Sequence, residues 1–132
     1  MIYYCTQCWA EFRVAPKLCP NCGAQIEAID HKRTYIEKLI RGLEHPEPQT
    51  PVRCAWILGQ LQARAAVPAL VRLVRESSDP YLVEAAVEAL DKIGDSCALE
   101  VLQWAIENGS LRVRQRAAAA LKNVLDGAEA RA

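Results

Sequence analysis

Residues 52–70 read VRCAWILGQLQARAAVPAL, and this stretch decides the fold. Cys54, Ile57, Leu58 and Leu61 fall at i, i+3, i+4 and i+7, the period of an amphipathic helix. Beyond a short break, Val67, Leu70, Val71 and Val74 repeat that spacing, so a second helix follows. The pattern then recurs along the chain. Cys54, Leu58 and Leu61 correspond to Ala86, Leu90 and Ile93, an offset of 32 positions (86 minus 54). These correspond in turn to Ala117, Leu121 and Val124, an offset of 31 (117 minus 86). Likewise Ala66-Val67 with Leu70 matches Ala98-Leu99 with Leu102. A period in this range with two helices per unit is an α-solenoid signature, because each unit buries its apolar stripe only against its neighbours.

Working outward, the spacing predicts about six helices and a mainly α fold. Ile36, Leu39, Ile40 and Leu43 form the face of the first, which Pro46 stops. Thr50-Pro51 and Asp79-Pro80 supply a cap and a first-turn proline to the helices they open. Ser77-Ser78, Gly94 and Asn108-Gly109 mark ends, Ser110 caps the last helix, and Gly127 is expected to close it. Aromatic residues make up only 6% of the 132-residue chain, which suits close helix-on-helix packing better than a strand-rich core.

On these residues the chain resembles the HEAT-like repeats, of the short bacterial type also seen in phycobilin lyases. Val52-Arg53, Leu58-Gly59-Gln60-Leu61 and Ala66-Val67-Pro68-Ala69-Leu70 follow the pattern V-R…A-L-G-x-L…A-V-P-A-L. Val113-Arg114 with Ala117 to Leu121 begins another unit. The middle unit departs from the pattern, with Glu84 in place of arginine and Asp91 in place of glycine. The resemblance implies stacked helix pairs and a surface for partners. It also admits a bilin-lyase-like activity, although no site residue carries over.

Before the helices stand Cys5-Thr6-Gln7-Cys8 and Cys19-Pro20-Asn21-Cys22-Gly23, ten residues apart. A C-x2-C pair forms a tight turn that directs both sulfurs at one ion, and two such turns give tetrahedral S4 coordination. Pro20 fixes φ in the second turn, and Gly23 can take the positive φ that follows the second ligand. Trp9 stands where the first turn would use glycine, so it is expected to shield the site. Phe12 and Val14 alternate with Glu11 and Arg13 as a short strand, with Pro16-Lys17 as the turn. Two disulfides are the alternative in an exported chain, and iron is the alternative metal. Residues 3–27 resemble the zinc ribbons, which implies a β-hairpin and one structural zinc on Cys5, Cys8, Cys19 and Cys22. With four thiolates in place no coordination position remains for activating water. The organisation expected is a zinc ribbon at 1–29, HEAT-like repeats at 30–127 and a C-terminal tail at 128–132.

Charge narrows the partner. Sixteen basic and sixteen acidic residues leave no net charge, so nucleic acid is not favoured, and the ribbon sets only Arg13 and Lys17 against Glu11 and Glu27. No apolar run is long enough to span a bilayer, and MIYYCTQCW lacks the form of a signal peptide, so a cytoplasmic protein is expected. A non-enzymatic protein-binding scaffold is the expected function, with Ala117 to Ala120 suited to self-association. Four features are weighed besides. The acidic run from Glu84 to Glu107 is read as an exposed helix face with pairs between repeats, Arg114 answering one of its acids. Cys54 is read as core, and Cys97 as a thiol at a helix start, where its pKa can fall. His31 follows the ribbon closely enough to support the metal ligands. Trp56 and Trp104 are read as packing residues or binding anchors.

Overall fold

The chain is described by a computed structural model covering the backbone of residues 1–131 and the side chains of residues 1–127. Two short strands, β1 (Tyr3–Tyr4) and β2 (Glu11–Phe12), pair antiparallel with Tyr3 opposite Phe12 and Tyr4 opposite Glu11. The second strand stops at Phe12, short of the expected Val14, which lies 79% exposed with nothing to pack on. Seven α-helices follow among the described residues: α1 (Ile26–Lys32), α2 (Tyr35–Gly42), α3 (Gln49–Gln60), α4 (Val67–Glu76), α5 (Pro80–Ile93), α6 (Leu99–Asn108) and α7 (Leu111–Arg131).

The unexpected helix is α1. It buries no residue of its own, so no apolar period announces it. It ends where Thr34 opens α2 with a capping box: the Thr34 hydroxyl accepts from the Glu37 amide while the Glu37 carboxylate accepts from the Thr34 amide. A different correction applies to α3. It begins at Gln49, and Glu47 does the capping expected of Thr50, its carboxylate accepting from the Gln49 and Thr50 amides and from the Thr50 hydroxyl. Those bonds, the Thr50 hydroxyl first, hold the Glu47 carboxyl below its ordinary pKa. Asp79 caps α5 as expected, accepting from the Tyr81 and Leu82 amides, and Gly94 closes that helix in the left-handed region at φ 70°. At the far end α7 runs past the expected stop at Gly127 to Arg131, through the helix formers of Ala128-Glu129-Ala130. The last residue, Ala132, lies outside the described residues.

The helices form two layers. In one, α3, α5 and α7 stack side by side; in the other, α4 lies beside α6 and α2 sits further off. The layers meet through α2 with α3, α4 with α5, and α6 with α7. A single core runs between them, centred on Leu58, Leu70, Leu90 and Leu102, each fully buried. Repeat-equivalent positions mostly share a fate, since Leu58 and Leu90 are buried and Leu121 partly so. The exception is Leu61, expected in the core yet 50% exposed. Its equivalent, Ile93, is still the last residue of its helix, whereas α3 stops one residue earlier, at Gln60, and Leu61 is its cap residue.

The layer of α3, α5 and α7 is spaced by small and charged residues. A Cβ on Gly59 would stand 2.9 Å from the Ala89 Cα, so glycine sets the approach of α3 to α5. The equivalent position on α5 is Asp91, and there the spacing is polar. Asn123 donates to both Asp91 oxygens at 3.1 and 3.2 Å, and Arg116 pairs with Glu88 at 3.1 Å and with Asp91 at 4.0 Å. Arg112 pairs with Glu84. The acids that replace the repeat pattern's residues on α5 are therefore met by α7. The cations that meet them are Arg112 and Arg116, not the expected Arg114, because only those two lie on the α5-facing side of α7.

Gly59→Ala is expected to lose about 1 kcal/mol of stability: overpacking against backbone costs about 1–3 kcal/mol and outweighs the roughly 1 kcal/mol gained in helix propensity. Gly127→Ala, with nothing within 4 Å of the added Cβ, is expected to gain up to about 1 kcal/mol. Thermal unfolding of both variants checks the pair. A Gly59→Ala protein at least as stable as wild type would contradict the close α3–α5 approach.

Candidate metal centre

The two C-x2-C turns fold alike, hydrogen bond for hydrogen bond. The Cys5 amide donates to the Ala10 carbonyl at 2.9 Å and the Trp9 amide to the Cys5 carbonyl at 2.8 Å. In the second turn the Cys19 amide donates to Ala24 at 2.9 Å and the Gly23 amide to Cys19 at 2.8 Å. Each turn ends on a residue of positive φ, Gly23 at 76° and Trp9 at 62°. Glycine takes this conformation freely, whereas tryptophan is strained by roughly 1–2 kcal/mol. Something outside the turn must hold Trp9 there.

The sulfurs converge. Cys5 and Cys22 Sγ lie 3.8 Å apart, Cys8 and Cys19 Sγ 3.6 Å apart, and all four lie within 4.8 Å of one another. A tetrahedron of sulfurs around an ion at 2.3 Å has edges of about 3.8 Å, so the four cysteines are positioned to bind a metal ion. All six cysteines are free, and the four converge as one set, the arrangement a shared ion needs. The first cysteine of each pair is buried and the second lies nearer solvent. Backbone and side-chain donors address the sulfurs: the Gln7 amide to Cys5, the Asn21 and Cys22 amides to Cys19, and Asn21 Nδ2 to Cys8, each at 3.4 Å.

In the thiol form these contacts split the set. The Asn21 amide, with the Ala10 backbone N–H, lowers Cys8 to about 6. At Cys22 the Ala24 backbone N–H lowers the thiol, but desolvation and the neighbouring sulfurs outweigh it and push it up to about 12. Four thiolates this close repel one another, and a dication removes that repulsion.

What holds Trp9 is the docking of the ribbon on α2. The Trp9 ring packs edge-on against His45 at 4.9 Å between centroids, Tyr4 does the same at 4.6 Å, and the Arg41 guanidinium lies 5.2 Å over the indole. Arg41 Nε donates to the Thr6 carbonyl at 2.7 Å, and its Nη2 to the Gln7 carbonyl. Arg33 adds bonds to the Thr6 carbonyl at 3.2 Å and the Gln7 Oε1 at 3.1 Å. The Thr6 hydroxyl donates to Asp30 on α1 at 2.8 Å. Trp9 thus anchors the ribbon to the helices. No ligand spacing reveals Arg33, Arg41 or Asn21; only a positive-φ tryptophan in place of glycine hints at a second demand on the turn.

Residues outside the centre fall as follows. His31 is exposed on α1 and makes none of the hydrogen bonds to sulfur; Asn21 takes that part. Cys54 is buried in the core, and burial raises its thiol. Cys97 is exposed, and Asp95, whose carboxylate accepts from the Cys97 amide at 2.9 Å, raises its pKa where a helix start was expected to lower it. Glu84 and Glu88 are paired with arginines. Trp104 is partly buried beneath Arg75, whereas Trp56 is 57% exposed with the Lys92 ammonium 6.0 Å from its ring. Ala117 and Ala120 are fully buried, so of the alanine run only Ala118 and Ala119 remain exposed.

Fold and site define an α-solenoid carrying an N-terminal hairpin with four cysteines positioned to bind a metal ion. Residues 36–122 match the family model of HEAT repeats, and the chain belongs to that family. It is also similar to the deoxyhypusine hydroxylase of Gallus gallus, 31% identical over 90 residues. That match takes in 67% of this chain and 30% of the relative, so it spans less than a third of that protein.

The purified chain is expected to hold one metal ion per molecule, and Cys19→Ser to hold none. Binding must displace thiol protons, so affinity is expected to fall as pH is lowered from about 8 to about 6. Metal analysis and competition with a chromophoric chelator check both points; affinity independent of pH would exclude thiolate ligation.

Proposed function

We propose that this chain is a non-enzymatic protein-binding scaffold stabilised by one structural zinc ion on Cys5, Cys8, Cys19 and Cys22. A soft thiolate set without carboxylate or water suits zinc, and a closed S4 shell gives the ion a folding role. A module of under 30 residues buries too little apolar surface to fold alone, whereas structural zinc contributes about 10–16 kcal/mol. Iron fits the same donors, and elemental analysis of native-source protein separates the two metals.

One observation carries the binding role. Where α2 and α4 stand apart, a groove of about 580 Å³ opens on the helical surface. Ile40, Leu43, Ala69 and Leu73 lie along it, between charged side chains that include Arg72, Glu44 and Glu76. An apolar floor with a polar rim is the form that peptide-binding surfaces take. The likeness to a hydroxylase spans only 30% of that protein and carries no catalytic assignment to this chain. Nucleic acid remains the second reading, weakened by the balanced charge of the ribbon. No described helix is long and apolar enough to cross a membrane. Free thiolates persist in a reducing compartment, and a cytoplasmic location goes with the proposal. Self-association through α7 is part of it too, since Leu111 and Leu125 are exposed beside Ala118 and Ala119.

Affinity capture from the native host tests the scaffold role. Ala69→Arg, which fills the groove without touching the cysteines, is expected to lose the protein partners that wild type retains. Partners kept by Ala69→Arg would move the binding surface elsewhere, and salt-sensitive capture of nucleic acid would favour the second reading. Light scattering that shows only monomer at high concentration would remove the α7 contact.

A further inference from the structure

Arg33 and Arg41 each belong to two places at once. Both reach the first cysteine turn, where they bond to the Thr6 and Gln7 carbonyls and the Gln7 side chain. Both also form part of the wall of the groove between α2 and α4. Thr6 and Gln7 lie between Cys5 and Cys8, so their carbonyl directions are set by the turn that those two sulfurs close around an ion. We infer that metal occupancy of the four-cysteine centre sets the position of α2 and the open state of the groove, with Arg41 as the coupling side chain. The inference rests on the zinc reading of the centre.

The physical case has three parts. First, the turn keeps Trp9 in a strained conformation, and beyond the turn's own backbone bonds its relaxation is opposed by metal ligation on one side and the His45 and Arg41 contacts on the other. A turn released from the ion relaxes and takes the Thr6 and Gln7 carbonyls with it. Second, α2 is held on one side only within the helical stack. It packs closely on α3 but stands apart from α4, and it buries only Leu39 and Gly42 within its length. Third, α5 shares no residue with the ribbon and lies in the centre of the core, so it reports on global unfolding and not on this coupling. Linkage makes the effect reciprocal: a partner that fills the groove and holds Arg33 and Arg41 in this arrangement tightens metal binding by the same factor.

Hydrogen exchange of the full chain, zinc-loaded and after chelation, tests the coupling. Peptides from 35–44 are expected to exchange at least about 10-fold faster without the ion, while peptides from 83–93 keep their protection. Arg41→Ala is expected to retain one zinc per chain, to release 35–44 as chelation does, and to lose any further response to the chelator. Unchanged 35–44 exchange after metal loss would overturn the coupling, as would an equal rise over 83–93, which marks global unfolding. Arg41→Ala that behaves like wild type would overturn the part given to Arg41. A chain that takes up no metal would overturn the zinc reading and this inference together, whereas metal uptake with an indifferent α2 overturns the inference alone.

Discussion

No helix of this chain can bury its apolar stripe by itself, and that constraint shapes everything else. The stripe of α3 is covered by α5 and that of α5 by α7, with Leu58, Leu70, Leu90 and Leu102 enclosed between the two layers. Such a stack is stabilised by nearest-neighbour contacts, so its ends are its weak places. The ribbon meets one of them. It is small for a module held by packing alone, and its four sulfurs converge in positions suited to a metal ion.

The junction between these two solutions falls on Trp9, His45 and the two arginines. It is built from polar and aromatic contacts, with little apolar burial: a ring against a ring, a guanidinium over an indole, and four bonds to the Thr6 and Gln7 carbonyls and the Gln7 side chain. Hydrogen bonds from charged donors are among the stronger ones, at about 1.5–3 kcal/mol each, but they depend on acceptor direction in a way that apolar contact does not. Within the stack a similar choice recurs. The α3–α5 contact is spaced by Gly59 against Ala89, while the α5–α7 contact is spaced by Asp91, Glu88 and Glu84 against Asn123, Arg116 and Arg112. Partly exposed pairs of this kind contribute modestly to stability, and their larger effect is to fix which helix follows which.

The repeat family and the four-cysteine cluster occupy different parts of the molecule. The family matches residues 36–122, whereas the four clustered cysteines all precede residue 23. Stacked helix pairs are a support on which many functions have been placed, so the surface and not the repeat carries the specific role.

The sequence by itself determined the four-cysteine cluster and the repeat, because both rest on short spacings. Two residues between cysteines dictate a turn whatever surrounds it, and an apolar residue at every third or fourth place dictates a helix face. The helix ends at Asp79 and Gly94 were legible for the same reason. What the tertiary structure decided are the matters that join distant residues. Arg112 and Arg116, not Arg114, meet the acids of α5, since facing depends on how α7 is rotated against its neighbour. Leu61 leaves the core because α3 ends one residue before its repeat equivalent, and α1, which has no apolar period, is tied to the ribbon through the bond from Thr6 to Asp30. Trp9 occupies a glycine's conformation because His45 and Arg41, more than thirty positions away, hold its ring. The four cysteines could be named from their spacing alone; only the fold shows that the turn around the first two is bonded to Arg41 of α2.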